Sequence, residues 1–156
     1  MLKIRPLQHA DRHPVLQLGV GEEQCQYVGT TQELLSNPPP DWHLHVIEAD
    51  EQVIGVFNID HGYSQHMAFA GINDAGLRSF LIDQSLQGRG YGRQAVRLLP
   101  SYLQQHYPSM ACIWLTVNCR NTSAHQCYLK GGFMDSGELY YGGQAGPQHI
   151  MYVSLR

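Results

Sequence analysis

The chain has 156 residues, the size of one compact domain with a single core. Hydrophobic residues make up 43% and charged residues 15%, a globular composition that excludes a disordered chain. Ten Lys and Arg against 13 Asp and Glu give a net charge of −3, which argues against a nucleic-acid surface.

Leu2 to Leu7 alternates as a first strand. A helix follows, with Asp11 as its expected cap and Pro14 in its first turn. A second short helix fits Thr31 to Ser36, and Pro38-Pro39-Pro40 reads as the loop before a strand. Trp42 to Ala49 and Val53 to Ile59 form a hairpin around the turn Asp50-Glu51-Gln52. His61 to Gly76 has weak periodicity and reads as loop, and Leu77 to Asp83 is a strand. A glycine-rich turn then opens a helix with apolar positions at Ala95, Leu98, Leu99, Tyr102 and Leu103, kinked at Pro100. Cys112 to Val117 is a strand, Asn121 to Lys130 is a helix stopped by Gly131-Gly132, and Phe133 to Tyr141 and His149 to Leu155 are two last strands. Together these predict a single α/β domain over residues 1–156, with a mixed central sheet of about seven strands flanked by about four helices.

No apolar run approaches the length of a membrane span, and Met1-Leu2-Lys3-Ile4-Arg5-Pro6 lacks the apolar core of a signal peptide, so no membrane partner is expected. Cys25, Cys112, Cys119 and Cys127 contain no Cys-x-x-Cys pair and read as reduced thiols of a cytoplasmic protein. Among nine histidines, His43 and His45 would share one face of a strand, but no third ligand is placed by the sequence. No metal site is expected.

The chemistry concentrates at Gln87-Gly88-Arg89-Gly90-Tyr91-Gly92. The first backbone N–H groups of a helix lack internal partners and point out at the positive end of its dipole. Glycines at alternate positions let that backbone close on a ligand, and a pyrophosphate suits the site. Arg89 and Arg93 add charge. A Walker loop fails, because Gly92-Arg93-Gln94 stands where Gly-Lys-Ser/Thr is needed. A Rossmann fingerprint fails on glycine spacing and on the absence of an acid in Leu103 to Ser109. For the loop alone, a turn that merely joins strand to helix stays open.

A second constellation is Asn118, Asn121, Ala124, Tyr128, Lys130, Gly132 and Phe133. Asn121 and Tyr128 stand seven positions apart, about two helical turns, on one face. A phenol with a pKa of about 10 is protonated at neutral pH and can serve as a proton donor. The plain alternatives are a helix cap for Asn121 and a core-edge ring for Tyr128. Cys127 is expected to point elsewhere on the helix, away from any nucleophilic role.

The loop resembles the Gln/Arg-x-x-Gly-x-Gly/Ala signature of the GNAT superfamily of N-acetyltransferases, and the downstream residues are similar to that family's Asn-x-x-Ala-x-x-x-Tyr-x-Lys-x-Gly-Phe pattern. The element order of the whole chain follows the family. The resemblance implies acetyl-CoA as co-substrate. It implies cofactor contacts from Gln87, Gly88, Arg89, Gly90, Tyr91, Gly92 and Arg93, from the backbone of Phe80, Leu81 and Ile82, and from Asn118 and Asn121. It gives Tyr128 the role of catalytic acid.

It also implies a small primary amine as acceptor. Leu16 to Leu35 resembles the start of bacterial diamine and spermidine acetyltransferases at Gln24 and Tyr27-Val28, and Glu22, Glu23 and Glu33 would suit a polyamine. The acceptor pocket is expected from the first two helices, His61 to Gly76 and Tyr140 to Gln148. Where many family members carry a carboxylate before the loop, this chain has Arg78 and Ser79. The base is therefore open among Asp83 and water relayed to Asp74, Asp60 or Glu22. Acetylation of a peptide amine and a non-catalytic acyl-CoA sensor are the alternatives. A homodimer is compatible with this reading.

Overall fold

A computed structural model describes residues 1–21 and 30–156. Its seven strands are β1 (Leu2–Pro6), β2 (Trp42–Ala49), β3 (Gln52–Asp60), β4 (Asp74–Ile82), β5 (Cys112–Asn118), β6 (Met134–Tyr140) and β7 (Gln148–Ser154). Four α-helices are described: α1 (Arg12–Leu16), α2 (Thr31–Leu35), α3 (Tyr91–His106) and α4 (Thr122–Lys130). The strands form one mixed sheet in the order β1-β2-β3-β4-β5-β7-β6, with β4 and β5 its parallel pair.

The β2–β3 hairpin turns on Asp50 and Glu51, both at positive φ (49° and 68°), the geometry whose twist matches paired strands. Alternation sends neighbouring side chains to opposite faces. Val46, Val56 and Leu81 pack with Val15, Leu18, Leu34 and Leu35 under α1 and α2. Ile47, Phe57 and Ile82 face the larger core, with Val96, Leu99 and Leu103 of α3 and Tyr128 of α4.

Several local expectations change. Asp11 does not cap α1 through its side chain. Its carboxylate instead accepts from the Gln8 backbone N–H and pairs with Arg5 at 2.7 Å. The inner face of α3 uses Val96, while Leu98 is turned outward, 39% exposed. Pro100 lies inside a helix that runs unbroken to His106. β4 begins at Asp74, earlier than its apolar run suggests, because pairing with β3 and β5 draws Asp74, Ala75 and Gly76 into the sheet. A 3-10 turn at Tyr63–Gln65 also falls within the stretch read as loop.

Candidate active site

The site arises where the parallel pair comes apart. β4 and β5 pair only through Asp74, Ala75 and Gly76 against Cys112, Ile113 and Trp114. Beyond that point the strands diverge and leave a cleft of about 1340 Å³. Arg78, Ser79, Phe80 and Ile82 line one side of it, and Thr116, Val117 and Asn118 the other. A β-bulge sharpens the opening. The β3–β4 register shifts between Val56 and Asn58, leaving Phe57, Ser79 and Phe80 without register partners. Ser79 has φ of 58°, a left-handed conformation that a non-glycine residue adopts at a cost. The bulge thus interrupts the β3–β4 ladder beside the cleft.

At the open end of β4 the glycine loop leads into α3. Gly90 is the N-cap, at φ of 86°, and Gly88 has φ of 80°. A Cβ at Gly88 would meet nothing within 4 Å, so the space above the loop is open. Gly92 is tight for a different reason: a Cβ there would lie 3.2 Å from Cys127 Sγ. The Gln87 Nε2 donates to the Ile82 carbonyl at 2.9 Å and ties the loop back to β4. Gln87, Gly88, Gly90, Tyr91, Gly92 and Arg93 all line the cleft. Positive φ at two glycines, exposed N–H groups at the start of a sixteen-residue helix and a nearby arginine fit a pyrophosphate.

Not every anticipated residue faces this space. Arg89 is exposed and lies off the cleft lining. The Leu81 side chain is buried in the opposite core, so only its backbone is placed for a contact. Arg120 and Lys130 also line the cleft. Lys130 belongs to the second motif, which gave it no site role, and Arg120 stands beside that motif without being part of it.

Asn118 and Asn121 both border the cleft, yet their amides hold the fold. Asn118 Nδ2 donates to the Ala145 carbonyl at 2.8 Å while its Oδ1 accepts from the Arg120 N–H. Asn121 caps α4, its Oδ1 accepting from the Ala124 N–H. Tyr128 is 8% exposed, held edge-on between Phe80 and Phe133 with centroids 5.9 and 5.8 Å away. Burial pushes its phenol pKa upward, so the hydroxyl keeps its proton at neutral pH. Cys127 does not point away as expected; it lines the cleft beside Gly92. Burial raises its thiol pKa against the opposing effect of Arg93, which disfavours the nucleophilic thiolate. Cys112, Cys119 and Cys127 are free thiols, and Cys25 lies outside the described residues.

The candidate bases resolve in part. Burial works against ionisation of Asp83, but the Gly19 and Ser85 donors outweigh it and hold the carboxyl below its ordinary range. Asp83 is thus a turn residue. Asp74 accepts from Trp114 Nε1 and the Gly71 N–H, away from the cleft. Asp60 is buried and bonded to Arg78 Nε at 2.8 Å. Glu22, with Glu23, Gln24, Tyr27 and Val28, lies outside the described residues. Among described residues, Glu33 is the one carboxylate lining the cleft, at the first turn of α2.

The outer cleft is walled by Trp42, Tyr63 and Tyr140. The Arg78 guanidinium sits over Trp42 and Tyr63, 5.0 and 4.8 Å from the ring centroids. Tyr141, by contrast, is 74% exposed. Of the His43–His45 pair, His45 is buried and stacked on Phe57, with its Nδ1 against the His43 carbonyl.

The parallel pair thus splays open with the glycine loop at its mouth. Residues 5–133 match the Acetyltransferase (GNAT) family, and the chain belongs to it. It is an acetyl-CoA-dependent N-acetyltransferase. It is 32% identical over 112 residues to YbbJ of Bacillus subtilis strain 168, described as an uncharacterized N-acetyltransferase, over 70% of this chain and 69% of that one. It is 23% identical over 147 residues to the spermine/spermidine N(1)-acetyltransferase of the same strain, covering 92% and 94%. In fold it is similar to aminoglycoside acetyltransferase AAC(6')-Ib in complex with coenzyme A, with a TM-score of 0.81 at 17% identity, covering 99% and 95%. It is likewise similar to spermidine N-acetyltransferase from Vibrio cholerae in complex with CoA and spermine, with a TM-score of 0.71 at 20% identity, covering 99% and 95%.

Proposed function

We propose that this enzyme acetylates a primary amine of a small polyamine or diamine, by direct attack within a ternary complex. The observation that carries the reading is one continuous cleft lined by the glycine loop, Tyr128 and the aromatic wall of Trp42, Tyr63 and Tyr140. An aliphatic chain suits such walls, and Glu33 supplies a negative partner for a distal ammonium. The spermine/spermidine relative, similar along nearly the whole chain, supports the same class.

Acetyl-CoA supplies the thioester carbonyl. The N–H groups at the start of α3, together with Arg93, bind its pyrophosphate, and the β4 bulge aligns the carrier arm along Phe80 and Ile82. The neutral amine attacks the carbonyl, forming a C–N bond as the C–S bond breaks. Its proton passes to water. Tyr128 gives its phenolic proton to the departing thiolate, and solvent returns one to the phenolate. The cytoplasm is the compartment that suits the free thiols.

Arg78 favours a second acceptor class. Asp60 engages only its Nε, and its two Nη groups have no hydrogen-bond partner among the described residues. A guanidinium held this way fits an amine that also bears a carboxylate. A thiol-release assay over spermidine, diamines, amino acids, aminoglycosides and peptides decides between them. Fastest turnover is expected with spermidine or a diamine. Turnover confined to amino acids would transfer the assignment to the carboxylate-bearing class. Turnover of peptides or aminoglycosides alone would sink the polyamine reading. Tight acetyl-CoA binding with no turnover would identify a sensor module.

A further inference from the structure

Away from the cleft, three side chains from three elements converge. His125 stands on α4, Asp135 on β6 and His149 on β7. Their nearest ligand atoms all lie within 4.8 Å of one another. His125 Nε2 is 2.9 Å from Asp135 Oδ2, and His149 Nδ1 is 3.6 Å from the same oxygen. The two imidazoles stack with centroids 4.0 Å apart and an interplanar angle of 11°.

The backbone builds this arrangement. Asp135 pairs with Met151 in the β6–β7 ladder, which makes His149 its diagonal neighbour on the same face. The ladder then shifts between Asp135 and Leu139, and Gly137 takes φ of 83°. Its N–H reaches back to Asp135 Oδ1 at 2.8 Å, which leaves Oδ2 facing both imidazoles. Orienting a liganding carboxylate through its second oxygen is how metal sites are commonly supported.

We propose that His125, Asp135 and His149 bind a divalent first-row transition metal, with zinc as the reference ion and water in the remaining position. Two imidazoles and one carboxylate are a donor set suited to zinc, copper, nickel or cobalt, and poorly suited to calcium or magnesium. Side-chain exposures of 19%, 28% and 26% leave an approach from solvent and room for a fourth ligand. Tetrahedral zinc with bonds of about 2.0–2.2 Å sets its ligand atoms roughly 3.3 Å apart. Because an imidazole nitrogen binds in its ring plane, the two stacked rings must tilt until both planes meet at the ion, and their partial exposure leaves room for that movement. The ion would fasten α4 to the sheet edge one turn before Tyr128, so it would bind beside the catalytic helix without entering the cleft. The sequence shows no Cys-x-x-Cys or paired-histidine spacing here, because the ligands come together only through the sheet register.

The test uses tag-free, chelator-stripped protein titrated with zinc by calorimetry and by thermal melting. One zinc per chain is expected, with a rise in Tm. His149→Gln and Asp135→Asn should each weaken binding more than ~10-fold. His43→Asn should leave it unchanged. A cobalt complex of the unaltered protein should show visible ligand-field bands without thiolate charge transfer. Absence of heat and of a Tm change would overturn the site. So would equal affinity in His149→Gln, or thiolate charge transfer in the cobalt spectrum, which would place the ion on a cysteine.

Discussion

The ring of Phe80, on the bulged strand, meets the ring of Tyr128 edge-on at 5.9 Å. One residue belongs to the strand proposed to receive the carrier arm and the other to the helix that faces it. Their contact packs the bulged strand against the helix that carries the proposed proton donor. Substitution of Tyr128 by Phe keeps both ring contacts and removes only the hydroxyl. The expected result is unchanged acetyl-CoA affinity and a fall in kcat of roughly 10²-fold or more. The loss should shrink below the thiol pKa, where solvent supplies the proton more readily. Full kcat across the pH range would make Tyr128 structural.

Gly90 occupies a left-handed N-cap, and the first turn of α3 faces the open cleft. Gly90→Val introduces both backbone strain and bulk beside the proposed phosphate position. At 100-fold excess over Kd, acetyl-CoA stabilises a one-site protein by about 2.7 kcal/mol. The accompanying Tm rise should appear in the unaltered protein and vanish in Gly90→Val. Gly88→Ala, where space is open but φ is positive, should lose only part of it. An undiminished shift in Gly90→Val would put the cofactor elsewhere.

His45 gives the fold a dependence on acid. Burial is the main cause that lowers its pKa to about 4 from the ordinary 6.5, partly opposed by the hydrogen bond to the His43 carbonyl. As pH falls below about 6.5, the unfolded chain takes up this proton while the native state does not. The contribution of a neutral His45 is whole above that pH and is lost progressively down to about 4, a total of ~3 kcal/mol. His45→Leu should flatten the Tm–pH profile across this window. Parallel profiles for the two proteins would exclude His45 as the cause.

Gly76 bears the ring of Tyr63 directly against its α-carbon. A Cβ there would fall 1.9 Å from Tyr63 Cδ1. Gly76→Ala must therefore displace a buried ring that also lies beneath Arg78. A loss of about 1–3 kcal/mol in stability is expected, the range for overpacked cores. The KM for the amine should rise more than the KM for acetyl-CoA. Equal effects on both would show that the proposed acceptor wall does not depend on this contact.

The sequence by itself determined the features whose causes are local. The Asp50-Glu51 turn, the glycine loop that opens α3, the Asn121 cap and the Gly131 stop of α4 follow from backbone preferences that act within a few residues. The strand Trp42–Ala49 was readable because its alternation faces two distinct cores. Only the tertiary structure decided how far β4 and β5 stay paired, where the bulge puts Ser79 at positive φ, and which acids the cleft excludes. It alone placed Cys127 beside Gly92, buried Asp60 against Arg78, and joined His125 to Asp135 and His149. Each of these joins residues on different elements. Their spacing is set by strand register and helix packing, which a local run of side chains does not encode.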